Sequence, residues 1–294
     1  MLRFNRLFAV PACLAMLLST PTVLAAVATA PATVEAVQSP AWRDRDGITV
    51  PLAAGMELHS GDVLRTGAGA RAYLMLAEGS RVKLGEAARF TFHSRSLQPA
   101  KAFRGALDVL QGAFRFTTGI LAKGRPHEVA IRVGTATIGI RGTDLWGRTD
   151  RDGDMVALLE GRIEITRAGQ TVELGQPLTY FDAPRGMAAE VKALDPEVFS
   201  RLARQTEILA GDGASRLLDK WRVLAGAAPT QEAALEVYDQ IRTAGFAARI
   251  KPRQADGENW RYEVVLGGFS SADEAGVAAA RLAAATGLKT SVAR

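Results

Sequence analysis

The stretch Tyr262-Glu263-Val264-Val265-Leu266-Gly267-Gly268-Phe269 decides the fold of the C-terminal quarter of the chain. Its side chains alternate between the two faces of a strand, and a helical run to Thr286 follows. An earlier copy of the pattern reads Trp221-Arg222-Val223-Leu224-Ala225-Gly226, with a helical run to Ala244. This part of the chain is therefore predicted to contain two strand–helix units.

Two further strands complete the predicted domain. Gly245 ends the first helix, and residues 246–251 read as a short strand. Gly287 ends the second helix, and residues 288–292 read as the last strand. The predicted order is β-α-β-β-α-β, the split βαβ arrangement. Both helices would cover one face of a four-stranded sheet and leave the other face to solvent.

Residues 217–294 resemble the SPOR (sporulation-related repeat) domain, most specifically from Tyr262 to Phe269. The resemblance implies an α+β ferredoxin-like fold whose open sheet face binds peptidoglycan glycan strands stripped of stem peptides. The candidate glycan-binding residues on that face and its rim are Arg222, Leu224, Trp260, Glu263, Val265 and Lys289. A ferredoxin-like module that contacts proteins is the alternative, because a fold alone does not fix a function.

The first 25 residues have the form of a signal peptide. Arg3 and Arg6 form a basic region, an apolar stretch runs from Leu7 to Leu18, and cleavage is expected after Ala25. We therefore expect export to the periplasm and no membrane span after cleavage. An uncleaved segment would instead be an inner-membrane anchor, because the apolar stretch approaches the length of a span.

The middle of the chain, residues 35–182, has the alternation of half-buried strands. Val129, Ile131 and Val133, for example, alternate with polar or small residues. Glycine-containing groups separate such runs and read as turns: Gly61-Asp62, Glu78-Gly79-Ser80, Gly112, Glu160-Gly161, Ala168-Gly169 and Gly175. Many short strands at close spacing predict an all-β domain, either a sandwich, a barrel or a roll.

Several segments of this region resemble the FecR domain: residues 60–67, 74–85, 138–144 and 159–163. The Gly-Asp, Glu-Gly-Ser and Arg-Gly-Thr groups within them are expected to form turns. The resemblance implies a periplasmic β-domain that contacts another protein or an envelope polymer. The founding FecR proteins signal to a sigma factor through a cytoplasmic helical segment. Only six residues precede the apolar stretch here, so direct sigma-factor control is not expected.

Composition argues against several classes of function. Cys13 is the only cysteine and lies in the expected signal peptide, so the mature chain should lack disulfides and thiolate chemistry. The formal net charge is +5 with both signs interspersed, so no nucleic-acid partner is expected. The three histidines lie 34 residues apart, without metal-site spacing. The aspartates of residues 150–154 read as a solvated turn. We therefore expect no metal, no other cofactor and no catalytic residue.

The complete prediction is a multidomain, non-catalytic protein of the cell envelope. Its parts are a signal peptide (1–25), an all-β FecR-like domain (35–182), a linker with one helix (183–216) and a SPOR-like domain (217–294). The linker helix is expected to begin at Asp195-Pro196. In this interpretation the SPOR-like domain holds the protein on peptidoglycan. The alternative is a periplasmic regulatory protein whose FecR-like domain senses a signal and whose tail binds a partner protein.

Overall fold

The computed structural model describes residues 30–94, 103–119, 127–255 and 259–294. The expected signal peptide lies outside these residues. Within them, no helix is both long enough and apolar enough to cross a membrane. The elements form a large β-domain, a connecting segment (residues 194–220) and a C-terminal domain of strands and helices, so the chain is multidomain.

Fifteen strands make up the β-domain in the described part of the chain. They are β1 (Ala32–Gln38), β2 (Ala41–Arg45), β3 (Ile48–Pro51), β4 (Glu57–Leu58), β5 (Val63–Thr66), β6 (Arg71–Leu76), β7 (Arg81–Leu84), β8 (Arg89–Ser94), β9 (Phe103–Thr117), β10 (His127–Val133), β11 (Ala136–Thr149), β12 (Gly153–Arg167), β13 (Gln170–Leu174), β14 (Thr179–Pro184) and β15 (Glu190–Ala193). They belong to one continuous hydrogen-bonded sheet. Their inward-facing apolar side chains pack into a single core, as the period-two pattern predicts.

Three long strands, β9, β11 and β12, each exchange partners at a glycine with positive φ. Up to residue 111, β9 pairs with β8 and β10; from Gly112 it pairs with β7 and β11. The strand β11 passes from β10 to β9 around Gly142, and β12 passes from β14 to β13 around Gly161. The turns predicted at these three glycines are therefore wrong. Each glycine bends a continuous strand instead of ending it.

The Gly61-Asp62 motif does form a turn, between β4 and β5, and its buried Asp62 carboxylate pairs with the partly exposed Arg45. The Asp62 carboxylate is fully buried and accepts hydrogen bonds from Arg45 at 2.5 and 2.7 Å and from the His59 N–H at 2.8 Å. Burial would raise the pKa of Asp62, but the Arg45 and His59 hydrogen bonds outweigh it and lower that pKa. This motif thus closes its turn by satisfying a buried charge.

The connecting segment crosses the outer surface of the β-domain. It contains α1 (Pro196–Ala203), which begins after the N-cap Asp195, and β16 (Ser215–Arg216), which pairs with β1. The Asp195 carboxylate accepts hydrogen bonds from the N–H groups of Glu197 and Val198, so the cap has the geometry expected of this residue.

Glu207 links the connecting segment to the β-domain through hydrogen bonds. Its carboxylate accepts hydrogen bonds from the Lys83 Nζ at 2.7 and 2.8 Å, the Tyr73 hydroxyl at 2.9 Å and Arg115 at 3.2 Å. Burial would raise the pKa of Glu207, but the hydrogen bonds from Lys83 and Tyr73 outweigh it and lower that pKa. Glu207 is therefore ionised at neutral pH and stabilises the packed arrangement.

Replacing Glu207 by glutamine should lower the free energy of unfolding at pH 7 by about 1–2 kcal/mol, a value reduced for partial solvent exposure. Because the folded-state pKa lies below the ordinary 4.5, this contribution is fully present above that value. It is lost as the pH falls through the folded-state pKa. Urea unfolding at pH 7 and pH 3 measures the difference. Glu57→Gln, at an exposed carboxylate, is the control. An equal effect of Glu207→Gln at both pH values would contradict this role.

The C-terminal domain contains β17 (Trp221–Ala228), α2 (Gln231–Thr243), β18 (Arg249–Gln254), β19 (Trp260–Phe269), α3 (Ala272–Thr286) and β20 (Ser291–Ala293). Its sheet has the order β18-β19-β17-β20, and all neighbouring strands are antiparallel. Thr230 and Ser271 cap the two helices, and α3 ends at Gly287 in the left-handed conformation. The core beneath the helices is separate from that of the β-domain and includes Val223, Ile241, Val264, Leu266 and Leu282.

Two strands of this domain begin later than predicted. Phe246 is buried, and its N–H donates to the Ile241 carbonyl oxygen at 3.2 Å, so residues 246–248 close α2 and β18 begins at Arg249. Leu288 packs against the same core, and β20 begins only at Ser291. In both places an apolar side chain after the helix packs into the core before the strand begins.

The two domains are in direct contact. The Glu274 carboxylate of α3 accepts hydrogen bonds at 2.5–3.2 Å from three backbone N–H groups of the connecting segment, those of Gly211, Gly213 and Ala214. Arg281 donates to the Gly69 carbonyl oxygen, and the Ala41 N–H donates to that of Gly245, both at 3.0 Å. These contacts hold one end of the C-terminal sheet against the β-domain.

Candidate functional site

The face of the C-terminal sheet opposite its helices carries polar and basic side chains. Register places Arg222 of β17 opposite Gly267 of β19, and Leu224 opposite Val265. On the edge strand β18, every second residue is basic and points to this same face: Arg249, Lys251 and Arg253. We call the residues of β17, β18 and β19 with this orientation the outward face.

Four of the six residues predicted from the sequence lie on the outward face in adjacent rows: Arg222, Leu224, Glu263 and Val265. The other two lie apart. Trp260 is at the far end of β19, on the same side of the strand as Tyr262, and is 54% exposed. Lys289 is exposed in the loop before the edge strand β20.

Val265 is only 3% exposed, although it belongs to the outward face. It lies on the central strand β19 between Leu224 and Arg249, its register partners on the neighbouring strands. It also lines a cleft between the two domains. The expectation that this face is wholly open to solvent is therefore wrong at Val265, where the β-domain end of the sheet is partly covered.

Glu263 is the centre of a row of charges on the outward face. Its carboxylate lies 3.2 Å from Arg253 Nε and 3.9 Å from Arg261 Nη2. The carboxylate is mostly buried, whereas both arginine side chains are about half exposed. Glu263 thus contacts two guanidinium groups that remain about half exposed to solvent.

The cleft next to Val265 has a volume of about 500 Å³. It opens where β17 and β18 begin and β19 ends. The connecting segment from Ser215 to Lys220 forms one wall, and Pro51 and Met56 of the β-domain form another. Gly268 allows the connecting segment to approach, because a Cβ there would lie 2.5 Å from the Arg216 carbonyl oxygen.

Apart from Arg222, the basic residues of β18 and of the cleft are missing from the candidates predicted from the sequence. The alternation of Arg249, Lys251 and Arg253 is a signal that could have identified the strand's outward side. Arg216 and Lys220 give no such signal. Their position depends on how the connecting segment lies between the domains.

The aspartates of residues 150–154 lie at the turn between β11 and β12, but the expectation that all of them are solvated is wrong at Asp154. Asp154 is buried and accepts hydrogen bonds from the hydroxyl groups of Thr135 and Thr149, at 2.9 and 2.7 Å. Asp150 accepts one from the Asp152 N–H at 2.8 Å. Across the described ranges, no group of three or more histidine, cysteine or acidic residues is arranged to hold a metal ion.

Comparison with protein families accounts for both domains. The model described as FecR protein matches residues 62–164, and the model described as SPOR domain matches residues 218–294. The chain is a FecR-domain protein with a C-terminal SPOR domain. The resemblances drawn from the sequence motifs are thereby confirmed. The SPOR domain implies peptidoglycan binding, and both domains are typical of envelope or periplasmic proteins with binding or regulatory roles.

Two solved structures also resemble the chain. Both are crystal structures of a proposed anti-sigma factor from Parabacteroides distasonis ATCC 8503. One is 11% identical with a TM-score of 0.38, covering 66% of this chain and 95% of its own. The other is 13% identical with a TM-score of 0.40, covering 76% of this chain and 91% of its own. A search of curated proteins finds no significant match.

Proposed function

We propose that the protein is a non-catalytic, exported protein of the cell envelope. Its SPOR domain binds peptidoglycan glycan strands that lack stem peptides, and its FecR domain contacts a protein or an envelope polymer. The N-terminal sequence supports export to the periplasm by a signal peptide. No cofactor, metal or nucleic acid takes part in this function.

The observation that carries the proposal is the SPOR match over residues 218–294, on a sheet whose helices pack on one side only. The strand order β18-β19-β17-β20, with helices after β17 and β19, supports a ferredoxin-like (βαββαβ) arrangement. Such an arrangement gives an extended polymer a surface that runs across several strands.

The groups on the outward face suit a stripped glycan strand. Sugar hydroxyl and acetamido groups can exchange hydrogen bonds with Arg222 and Glu263, and Leu224 offers apolar surface to a sugar ring. Each N-acetylmuramic acid of a stripped strand also bears a free lactyl carboxylate. In strands with stem peptides that carboxyl group is an uncharged amide. The half-exposed guanidinium groups of Arg253 and Arg261 can donate hydrogen bonds to the hydroxyl and acetamido oxygens of the sugars.

A regulatory role is the second candidate, and the FecR match over residues 62–164 favours it. In this alternative the FecR domain senses a periplasmic signal, and the C-terminal domain binds a partner protein. Glycan binding by the intact chain separates the two candidates, because the alternative does not require it.

Replacing both Arg222 and Glu263 by alanine should weaken co-sedimentation of the intact chain with stripped peptidoglycan by about tenfold. The expected loss corresponds to one or two polar contacts. Arg201→Ala with Glu236→Ala, at exposed positions on α1 and α2, is the matched control and should sediment as wild type does. Circular dichroism should be unchanged for both. Wild-type binding by the Arg222/Glu263 variant would exclude the outward face as the site.

A further inference from the structure

The cleft between the domains is strongly basic. Among its lining residues are six basic side chains and a single carboxylate, Asp219: the basic ones are Arg216, Lys220, Arg222, Arg242, Arg249 and Lys251. They come from the connecting segment, β17, α2 and β18. The whole chain carries a net charge of only +5, so basic charge is concentrated in this one place.

Within the described part of the chain, most of these basic groups have no acidic partner. Among the described residues, no carboxylate forms an ion pair with Arg216, Lys220 or Arg249. On the β-domain, by contrast, Arg45 and Arg115 each contact a carboxylate at 2.7 Å or closer. Unneutralised like charges around a concave site repel one another and attract an anion.

The walls of the cleft belong to both domains. A Cβ on Gly55 of the β-domain would lie 2.8 Å from Leu217 Cδ1, so the connecting segment packs closely against that loop. Leu218 has a φ of 74°, a left-handed conformation that turns the chain between Arg216 and Lys220. The volume of about 500 Å³ is in the range of sites for small ligands.

We propose that this cleft binds the lactyl carboxylate of a stripped glycan strand, so that the glycan site extends beyond the SPOR domain to the connecting segment and the β-domain. The inference rests on the proposed function. The cleft continues the outward face, because Val265 and Arg222 belong to both. A strand lying along the face therefore brings its acidic sugars to Arg216, Lys220 and Arg249. A stem peptide converts the lactyl carboxylate to an amide and adds bulk at that position, so the cleft selects against peptide-bearing strands.

The test uses the intact chain and three probes: stripped glycan strands, the same strands with carboxyl groups converted to primary amides, and an uncharged N-acetylglucosamine hexamer. The wild type should bind stripped strands at least tenfold more tightly than either uncharged probe. Raising the salt concentration should reduce this preference. The variant Arg216→Ala/Lys220→Ala/Arg249→Ala should lose it. The control Arg151→Ala/Arg201→Ala/Arg204→Ala removes equal charge from exposed sites and should keep it.

The outcomes separate this inference from the proposed function. If the wild type binds all three probes equally, glycan binding stands and carboxylate recognition by the cleft is overturned. Retention of the preference by the cleft variant also overturns it. If the wild type binds none of the probes, the proposed function itself fails, and this inference fails with it.

Discussion

Val264→Asp should unfold the SPOR domain while leaving the FecR domain folded. Val264 is fully buried on β19, within the core beneath α2 and α3. An unpaired carboxylate there costs at least about 4 kcal/mol. A domain of this size is stabilised by only about 4–12 kcal/mol. Hydrogen exchange of the intact chain measures the effect, and protection should be lost across residues 221–293 but kept in the β-domain core.

Leu235→Asp is the matched control for this substitution. Leu235 is on α2 but is 41% exposed, so the same chemical change should leave protection nearly unchanged. If Val264→Asp retained wild-type protection, the packing of β19 beneath the helices would be incorrect. Loss of protection in both domains would mean that the domain contact, including that of Glu274, is needed for the FecR domain to fold.

Gly112→Ala should destabilise the FecR domain by about 2–5 kcal/mol, because it combines left-handed strain with overpacking. Gly112 has a φ of 89°, and a Cβ there would lie 2.6 Å from the Ala88 Cα. Gly169→Ala separates the two causes. Its φ is 79°, but no atom lies within 4 Å of the added Cβ, so only strain of about 1–2 kcal/mol is expected. Denaturant unfolding of both variants measures the difference. Equal losses would show that the predicted collision with Ala88 is relieved without cost.

The sequence pattern predicts the C-terminal domain well because its signals are local. Alternation and helix ends identify all six elements, and α3 ends at Gly287, as expected. The two displaced strands, β18 and β20, begin late because Phe246 and Leu288 are used by the core. A single apolar residue after a helix is compatible with either role, so only tertiary packing decides between them.

The β-domain is harder to predict in detail. Its alternation correctly identifies half-buried strands, but Gly112, Gly142 and Gly161 read as turns and instead bend long strands. A positive-φ glycine serves equally in a turn and in a bulge. What distinguishes the two is the presence of a partner strand on each side of the glycine. Those partners are distant in sequence, so the local pattern carries no sign of them.

The candidate site, too, follows only in part from the sequence. Arg222, Leu224, Glu263 and Val265 follow from period-two alternation, and the structure brings them onto one face. The cleft does not follow from any pattern, because its walls come from three parts of the chain that meet only through domain contact. The burial of Val265 also depends on this contact between the domains. The sequence therefore predicts the sheet face, whereas the charge concentrated beside it depends on the tertiary arrangement.

Selective binding to glycan strands without stem peptides is measured most directly by co-sedimentation. The intact wild-type chain is mixed with two forms of the same peptidoglycan, one stripped of stem peptides by an amidase and one untreated. The protein should pellet with the stripped form and remain largely in the supernatant with the untreated form. Failure to pellet with stripped peptidoglycan, or equal pelleting with both forms, would contradict it.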